Sequence, residues 1–367
     1  MATKLIPRAD VRRAAGRLVI CGFEGTSVTA ELRELLREVQ PLGVILFARN
    51  IESLEQICEL NRELKALRPG EPLLCTVDQE GGRVARIGKP ATVWPSLRAL
   101  GRLGDADLVQ AIGRAIAVEL RALNFDINYA PVLDVDINPQ NPVIGDRSFS
   151  ADPRLVARLG AAFIAGLQAE GVGGCGKHFP GHGDTDKDSH LELPYVEHEL
   201  QRLREVEWPP FRAAIAAGVG AIMTAHLVVM PIDERRPATL SPPVLAHLRN
   251  ELGFLGAIIS DDIEMKAIAD HYRPDELAGQ GVNAGVDVFL ACKRPDVVLD
   301  LYRGIVQAVE AQTITHETLM AAEQRALTWR QRFVRPATPW SAGKDRVGPA
   351  AHGALAGVIE KRLTEGV

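Results

Sequence analysis

Residues 177–190, KHFPGHGDTDKDSH, place three histidines, three aspartates and two lysines in fourteen positions. A solvated polar loop can have this composition, but Pro180, Gly181 and Gly183 prescribe a particular backbone path. Asp188 stands two residues before His190. A carboxylate so placed can hold an imidazole in one tautomer and raise its pKa, which is how a general acid is made. A second acidic pair, Asp261 and Asp262, follows the apolar run GAIIS. Helix capping is an ordinary task for such an aspartate. Attack on an anomeric carbon, giving a covalent glycosyl-enzyme that water resolves, is another.

Metal binding is a rival reading of the first segment, since His178, His182, Asp184, Asp186, Asp188 and His190 are all competent ligands. Their spacing matches no established ligand motif, and a carboxylate ahead of a histidine serves equally as its orienter. Other polar residues gather where apolar runs end: Asp78, Glu80, Arg83 and Arg86 in VDQEGGRVAR, then Asp134 and Asp136, Asp146 and Arg147, Lys177, and His226. His226 reads equally well as a satisfied buried histidine. Forked guanidinium groups suit sugar hydroxyls and carboxylates, or the bracing of an acidic mouth.

These residues need elements to position them. Eight short apolar runs recur at 17–23, 43–47, 73–77, 125–135, 171–179, 219–229, 256–261 and 287–292. Near-continuous apolar character fits strands buried on both faces of a parallel sheet. Amphipathic stretches of helical period lie between them, several opening on Ser, Thr or Asp and several ending near Gly171, Gly218 or Gly253. Eight strands, each followed by a helix, predict a single (β/α)8 barrel, in which chemistry belongs at the C-terminal strand ends. A doubly wound sheet is the competing architecture, but no GxGxxG follows the first strand. We expect the barrel to span 1–335, with a Pro, Gly and Ala-rich tail over 336–367 lying on it or extending from it.

With 42 basic and 47 acidic residues the chain carries a net charge of −5. That argues against nucleic acid or an anionic membrane as the main partner. Five scattered cysteines without a close pair read as buried, reduced thiols. Neither a secretory leader nor an apolar stretch of about 18 residues is evident, so a cytoplasmic protein is expected.

The motifs GVILFARN, DQEGGRVAR, APVLDV, NPVIGDRSF, KHFPGHGDTDKDSH, IMTAHL and SDDIEM closely resemble the family 3 glycoside hydrolases, within them the bacterial cytoplasmic β-N-acetylglucosaminidases of peptidoglycan recycling. The resemblance spans most of the chain. It implies a (β/α)8 barrel, retaining hydrolysis, and neither metal nor other cofactor. By motif it makes Asp261 the nucleophile, His190 the general acid/base and Asp188 its partner, with Asp78, Arg86, Arg147, Lys177 and His178 binding the terminal N-acetylglucosamine. The implied substrates are N-acetylglucosamine-containing muropeptides, chiefly those ending in 1,6-anhydro-N-acetylmuramic acid, and a monomer is favoured. IEM replaces the more usual LSM after Asp262, and the tail exceeds the compact family pattern. Two alternatives stay open: a phosphorylase using phosphate as acceptor, and a sugar-binding barrel without catalysis.

Overall fold

The computed structural model describes residues 7–185 and 193–365. Among these, eight parallel strands close a barrel in chain order: β1 (Val19–Cys21), β2 (Gly43–Leu46), β3 (Leu74–Val77), β4 (Ile127–Asn128), β5 (Gly173–Phe179), β6 (Ala221–Thr224), β7 (Ala257–Asp262) and β8 (Val288–Ala291). The ring closes where β8 pairs with β1, Val19 opposite Phe289. Each apolar run of the sequence supplies one strand. Side chains such as Ile20, Ile45, Leu74, Met223, Ile259 and Leu290 point into the barrel. Their neighbours Val19, Val44, Cys75, Ile222, Ile258 and Phe289 pack under the helices. Both faces are therefore apolar, which is why the runs are continuous rather than alternating.

The floor is sealed by the helix His316–Phe333, whose Ala326, Trp329 and Phe333 join the inner cluster. Gly220 makes room for it. A Cβ there would lie 2.5 Å from the Phe333 ring and 3.1 Å from that of Trp329, closer than a side chain tolerates without displacing the plug.

Thr29, Ser53, Ser96, Asp105, Ser241 and Thr315 each cap a helix with a side-chain oxygen accepting a backbone N–H. Elsewhere the elements are shorter than their apolar runs. The ladder of β4 is interrupted at Pro131, which has no N–H to donate, and pairing with β5 resumes in a single bridge, Val132 to Lys177. The run 219–229 divides, with Val228–Val229 leaving the barrel for a small sheet with Tyr195–Val196 and Asp233–Pro237. One long amphipathic stretch becomes two helices, Leu200–Glu205 and Trp208–Ala216, because Pro209 and Pro210 are accommodated only in a first turn.

Beyond residue 336 the chain forms a short helix, Trp340–Gly343, and a longer one, Ala350–Glu365. Ala, Leu, Glu, Lys and Arg favour helix intrinsically, yet only Ile359 of the longer helix is fully buried. Leu355, Ala356 and Leu363 pack against the core only partly buried, so the apolar stripe is too weak for periodicity to reveal. No helix among the described residues is long and apolar enough to cross a membrane. All five cysteines are free and buried.

Candidate active site

The C-terminal end of the barrel opens into a cleft of about 400 Å³. On one side, the chain leaving β3 turns through a hairpin of Gln79–Gly81 against Val84–Ala85. The Gln79 side chain locks that hairpin, accepting from the N–H of Arg86 (2.8 Å) and Ile87 (3.0 Å) and donating to the Ile87 carbonyl (2.9 Å). Asn128 at the end of β4 in turn exchanges two bonds of 2.9 Å with the Gln79 backbone. Arg86 is thereby carried to the cleft, 3.7 Å from Asp78 Oδ2 and over the Phe47 ring, with its Nε buried and without a hydrogen-bond partner among the described residues.

Beneath it lies a neutral quartet. Lys177 Nζ donates to Asp78 Oδ1 (2.8 Å) and bridges to Glu80 Oε1 (2.6 Å). Arg147 grips Glu80 with both arms, at 3.0 and 2.8 Å. Burial opposes the Glu80 charge, but Arg147 and Lys177 outweigh it and hold the carboxyl far below its ordinary range. Burial likewise opposes the Lys177 charge, and Asp78 and Glu80 reverse that, pushing its pKa up. Buried Glu80 and Lys177 and half-buried Asp78 and Arg147 compensate one another, as a water-poor site requires.

On the other side, β7 ends in Asp261 and Asp262. The Asp262 N–H donates to Asp261 Oδ1 (2.8 Å), while Oδ2 faces His178 Nε2 across 4.0 Å and leaves room for a ligand group. Burial disfavours the Asp261 carboxylate, but His178, His226, the Asp262 N–H and Lys177 together hold its pKa below the ordinary value. His178 is fixed from behind by Asp134, whose Oδ2 lies 2.7 Å from Nδ1. His226 lies under the strand end, 3.1 Å from the Asp262 carbonyl and 2.8 Å from the Thr239 hydroxyl. Both its nitrogens are engaged, so it braces the strand end that carries the aspartates.

The glycosyl hydrolase family 3 N-terminal domain model matches residues 11–329. The chain belongs to glycosyl hydrolase family 3. Among curated proteins this family 3 hydrolase is similar to a beta-hexosaminidase of Nitrosospira multiformis, at 41% identity over 285 residues covering 76% of this chain and 81% of the relative. A beta-hexosaminidase of Nitrosomonas eutropha is 39% identical over 325 residues, 85% and 92% of the two chains. Among solved structures, a family 3 β-N-acetylglucosaminidase from Paenibacillus superposes with TM-score 0.89 at 39% identity, covering 95% of this chain and 68% of that one. NagZ from Neisseria gonorrhoeae, in complex with N-trifluoroacetyl-D-glucosamine, does so with TM-score 0.78 at 34% identity, over 93% and 96%.

Of the eight residues that the resemblance made catalytic or sugar-binding, six (Asp78, Arg86, Arg147, Lys177, His178 and Asp261) line this cleft, with Glu80, Arg83, His182 and Asp262 beside them. Asp188 and His190 lie outside the described residues. The segment holding them is flanked by a contact between Asp184 and His198. Arg83 braces the rim, pairing with Asp146 (2.8 Å) and the Val143 carbonyl (2.7 Å). Among the described residues no group of three or more metal-ligating side chains gathers; of the residues weighed as ligands, His182 Nδ1 lies 2.6 Å from the Thr185 hydroxyl. Reading the sequence did not single out Gln79, Asn128 or Phe47, and gave Glu80 and Asp134 no role. Amides and apolar residues carry no chemical signature in sequence. Glu80, two positions from Asp78, was the one with a usable signal, because alternation sets them on the same side of an extended segment.

Proposed function

We propose that this family 3 hydrolase is a β-N-acetylhexosaminidase that removes terminal, non-reducing N-acetylglucosamine from muropeptide fragments, with retention of configuration. The observation that carries the reading is a blind cleft with an ionised aspartate at one wall and a compensated cluster of cations and carboxylates at the other. Its floor is closed by Ile45, Tyr129, Met223 and Leu290 above the plug helix, a base against which a terminal sugar can seat end-on. This supports exo action. Its volume, about 400 Å³, lies in the range of small-ligand sites. The names of the relatives support the N-acetyl sugar.

In this mechanism Arg86, with its open Nε, Asp78, Arg147, Lys177 and His178 hold the sugar. Asp261 Oδ2 attacks the anomeric carbon as the bond to the leaving oxygen breaks, and His190, oriented by Asp188, protonates that oxygen. The imidazole then takes a proton from water, which displaces Asp261 and restores the β configuration. The roles of His190 and Asp188 rest on their motif. The five buried thiols support a reducing, cytoplasmic setting.

The test is a hydrolysis screen of chromogenic β-N-acetylglucosaminide, β-glucoside and β-xyloside, followed by trapping with a 5-fluoro N-acetylglucosaminyl donor. Preference for the acetamido sugar and a label on Asp261 are expected, with Asp261→Asn folded but at least about a thousandfold slower. Preference for either other glycoside, or a label elsewhere, defeats the reading.

A further inference from the structure

We propose that Asp134 is a positioning residue for this reaction: it dictates the tautomer of His178, and so which hydrogen-bonding role Nε2 offers to the sugar beside Asp261. The inference rests on the function proposed above, and it begins from one fully buried carboxylate surrounded by donors. Asp134 Oδ1 accepts from the His182 N–H (2.7 Å) and the His178 N–H (3.2 Å). Oδ2 lies 3.1 Å from the same His178 N–H and 2.7 Å from His178 Nδ1. Burial opposes its charge, but His178, His182 and the backbone donor outweigh that and keep the carboxyl below its ordinary range.

An ionised carboxylate only accepts. Nδ1 must therefore carry a proton, and in the neutral ring Nε2 is left as an acceptor. Nε2 points across 4.0 Å to Asp261 Oδ2, a gap too long for a direct hydrogen bond and wide enough for a sugar hydroxyl to reach between. Asp134 thus has two tasks, shaping the 178–182 turn through backbone N–H groups and setting the ring through Nδ1. Only the second is chemical.

Asparagine at 134 separates them. Its carbonyl belongs at the Oδ1 position, because the two backbone donors there cannot change their character. Its NH₂ then faces Nδ1, which must give up its proton to become an acceptor. The tautomer inverts, and Nε2–H becomes a donor, so a sugar hydroxyl lying between the two residues must accept from it and turn its single proton onto Asp261 Oδ2, weakening the nucleophile.

The experiment is long-range proton–nitrogen NMR on imidazole-labelled protein at a pH where the ring is neutral, with the His178 signals assigned by their loss in His178→Gln. In the wild-type protein Nδ1 should be protonated and Nε2 bare; the opposite tautomer overturns the proposal, whatever any variant does. Asp134→Asn should invert the pattern and lower kcat/KM by about a hundredfold while its melting temperature stays within a few degrees. A kcat/KM within threefold of wild type, or an Nδ1 still protonated in the folded variant, overturns it too. If the wild-type protein fails to cleave the N-acetylglucosaminide at all, the proposed function falls, and the tautomer measurement still decides what Asp134 does.

Discussion

Asp261 and Asp262 are adjacent carboxyls with opposite electrostatics, and the difference lies in what each oxygen meets. Asp261 is flanked by His178, His226 and Lys177. Asp262 is half-buried, and that burial, with the neighbouring charges of Glu264 and Asp261, pushes its carboxyl up to about 7. Both of its backbone donors, Glu264 N–H (3.1 Å) and Cys292 N–H (3.2 Å), reach a single oxygen, Oδ1, so asparagine can keep both bonds. Between the ordinary 3.8 and about 7 the unfolded chain has released a proton that the folded one retains, and stability therefore falls as pH rises through this window. Asp262→Asn removes that loss. Relative to wild type, the variant should gain about 1–3 kcal/mol between pH 4 and pH 8, measured by denaturant midpoints. A gap that does not change with pH would falsify the assignment.

Between elements, Glu80 ties the hairpin after β3 to β5 through Lys177 and to the 142–147 loop through Arg147. Its side chain is 1% exposed, Lys177's is 3% and Arg147's 11%. Glu80→Gln would leave Lys177 and Arg147 facing Asp78 alone, a change that typically costs about 3–5 kcal/mol. Because the Glu80 carboxyl is held far below 4.5, its contribution is complete above that value and is lost as pH falls toward the folded pKa. The melting-temperature gap between wild type and Glu80→Gln should therefore be full at pH 7 and narrow below about pH 4.5, with KM for the sugar raised at neutral pH. An unchanged KM would mean that the quartet serves folding alone.

Across the whole molecule, Asp126 and Asp287 at the strand starts differ from Asp261 at the mouth in saturation. At the strand starts, Asp126 takes Lys65, Arg121 and two backbone N–H groups, and Asp287 takes Arg249, Arg325 and the Ile258 N–H. Nothing is left for a ligand. At the mouth, Asp261 keeps one oxygen without a close partner among the described residues. The helix Ala350–Glu365 is held by Ile359, by His352 on Glu119 (2.7 Å) and by Arg362 on Asp105 (2.8 Å). None of its residues lines the cleft. Truncation after Val347 should lower the melting temperature by about 5 °C, chiefly through the lost burial of Ile359, and leave kcat/KM within about twofold. A collapse of activity in a folded truncate would show that the tail acts on the site.

The barrel was legible in the chain alone, because eight doubly apolar runs alternating with helical periods have few other ways to be buried. The charged strand ends were legible too, since residues such as Asp78, Lys177 and Asp261 stand directly where apolar character stops. Pairing across distance became visible in the folded chain alone. That Glu80 compensates Lys177 and Arg147, that Asp134 rather than a sequence neighbour orients His178, and that Gln79 and Asn128 carry Arg86 to the cleft all depend on contacts between residues up to 97 positions apart. Local sequence records the type and spacing of a side chain. The partner that sets its charge is chosen by how β3, β4 and β5 lie beside one another in the closed ring.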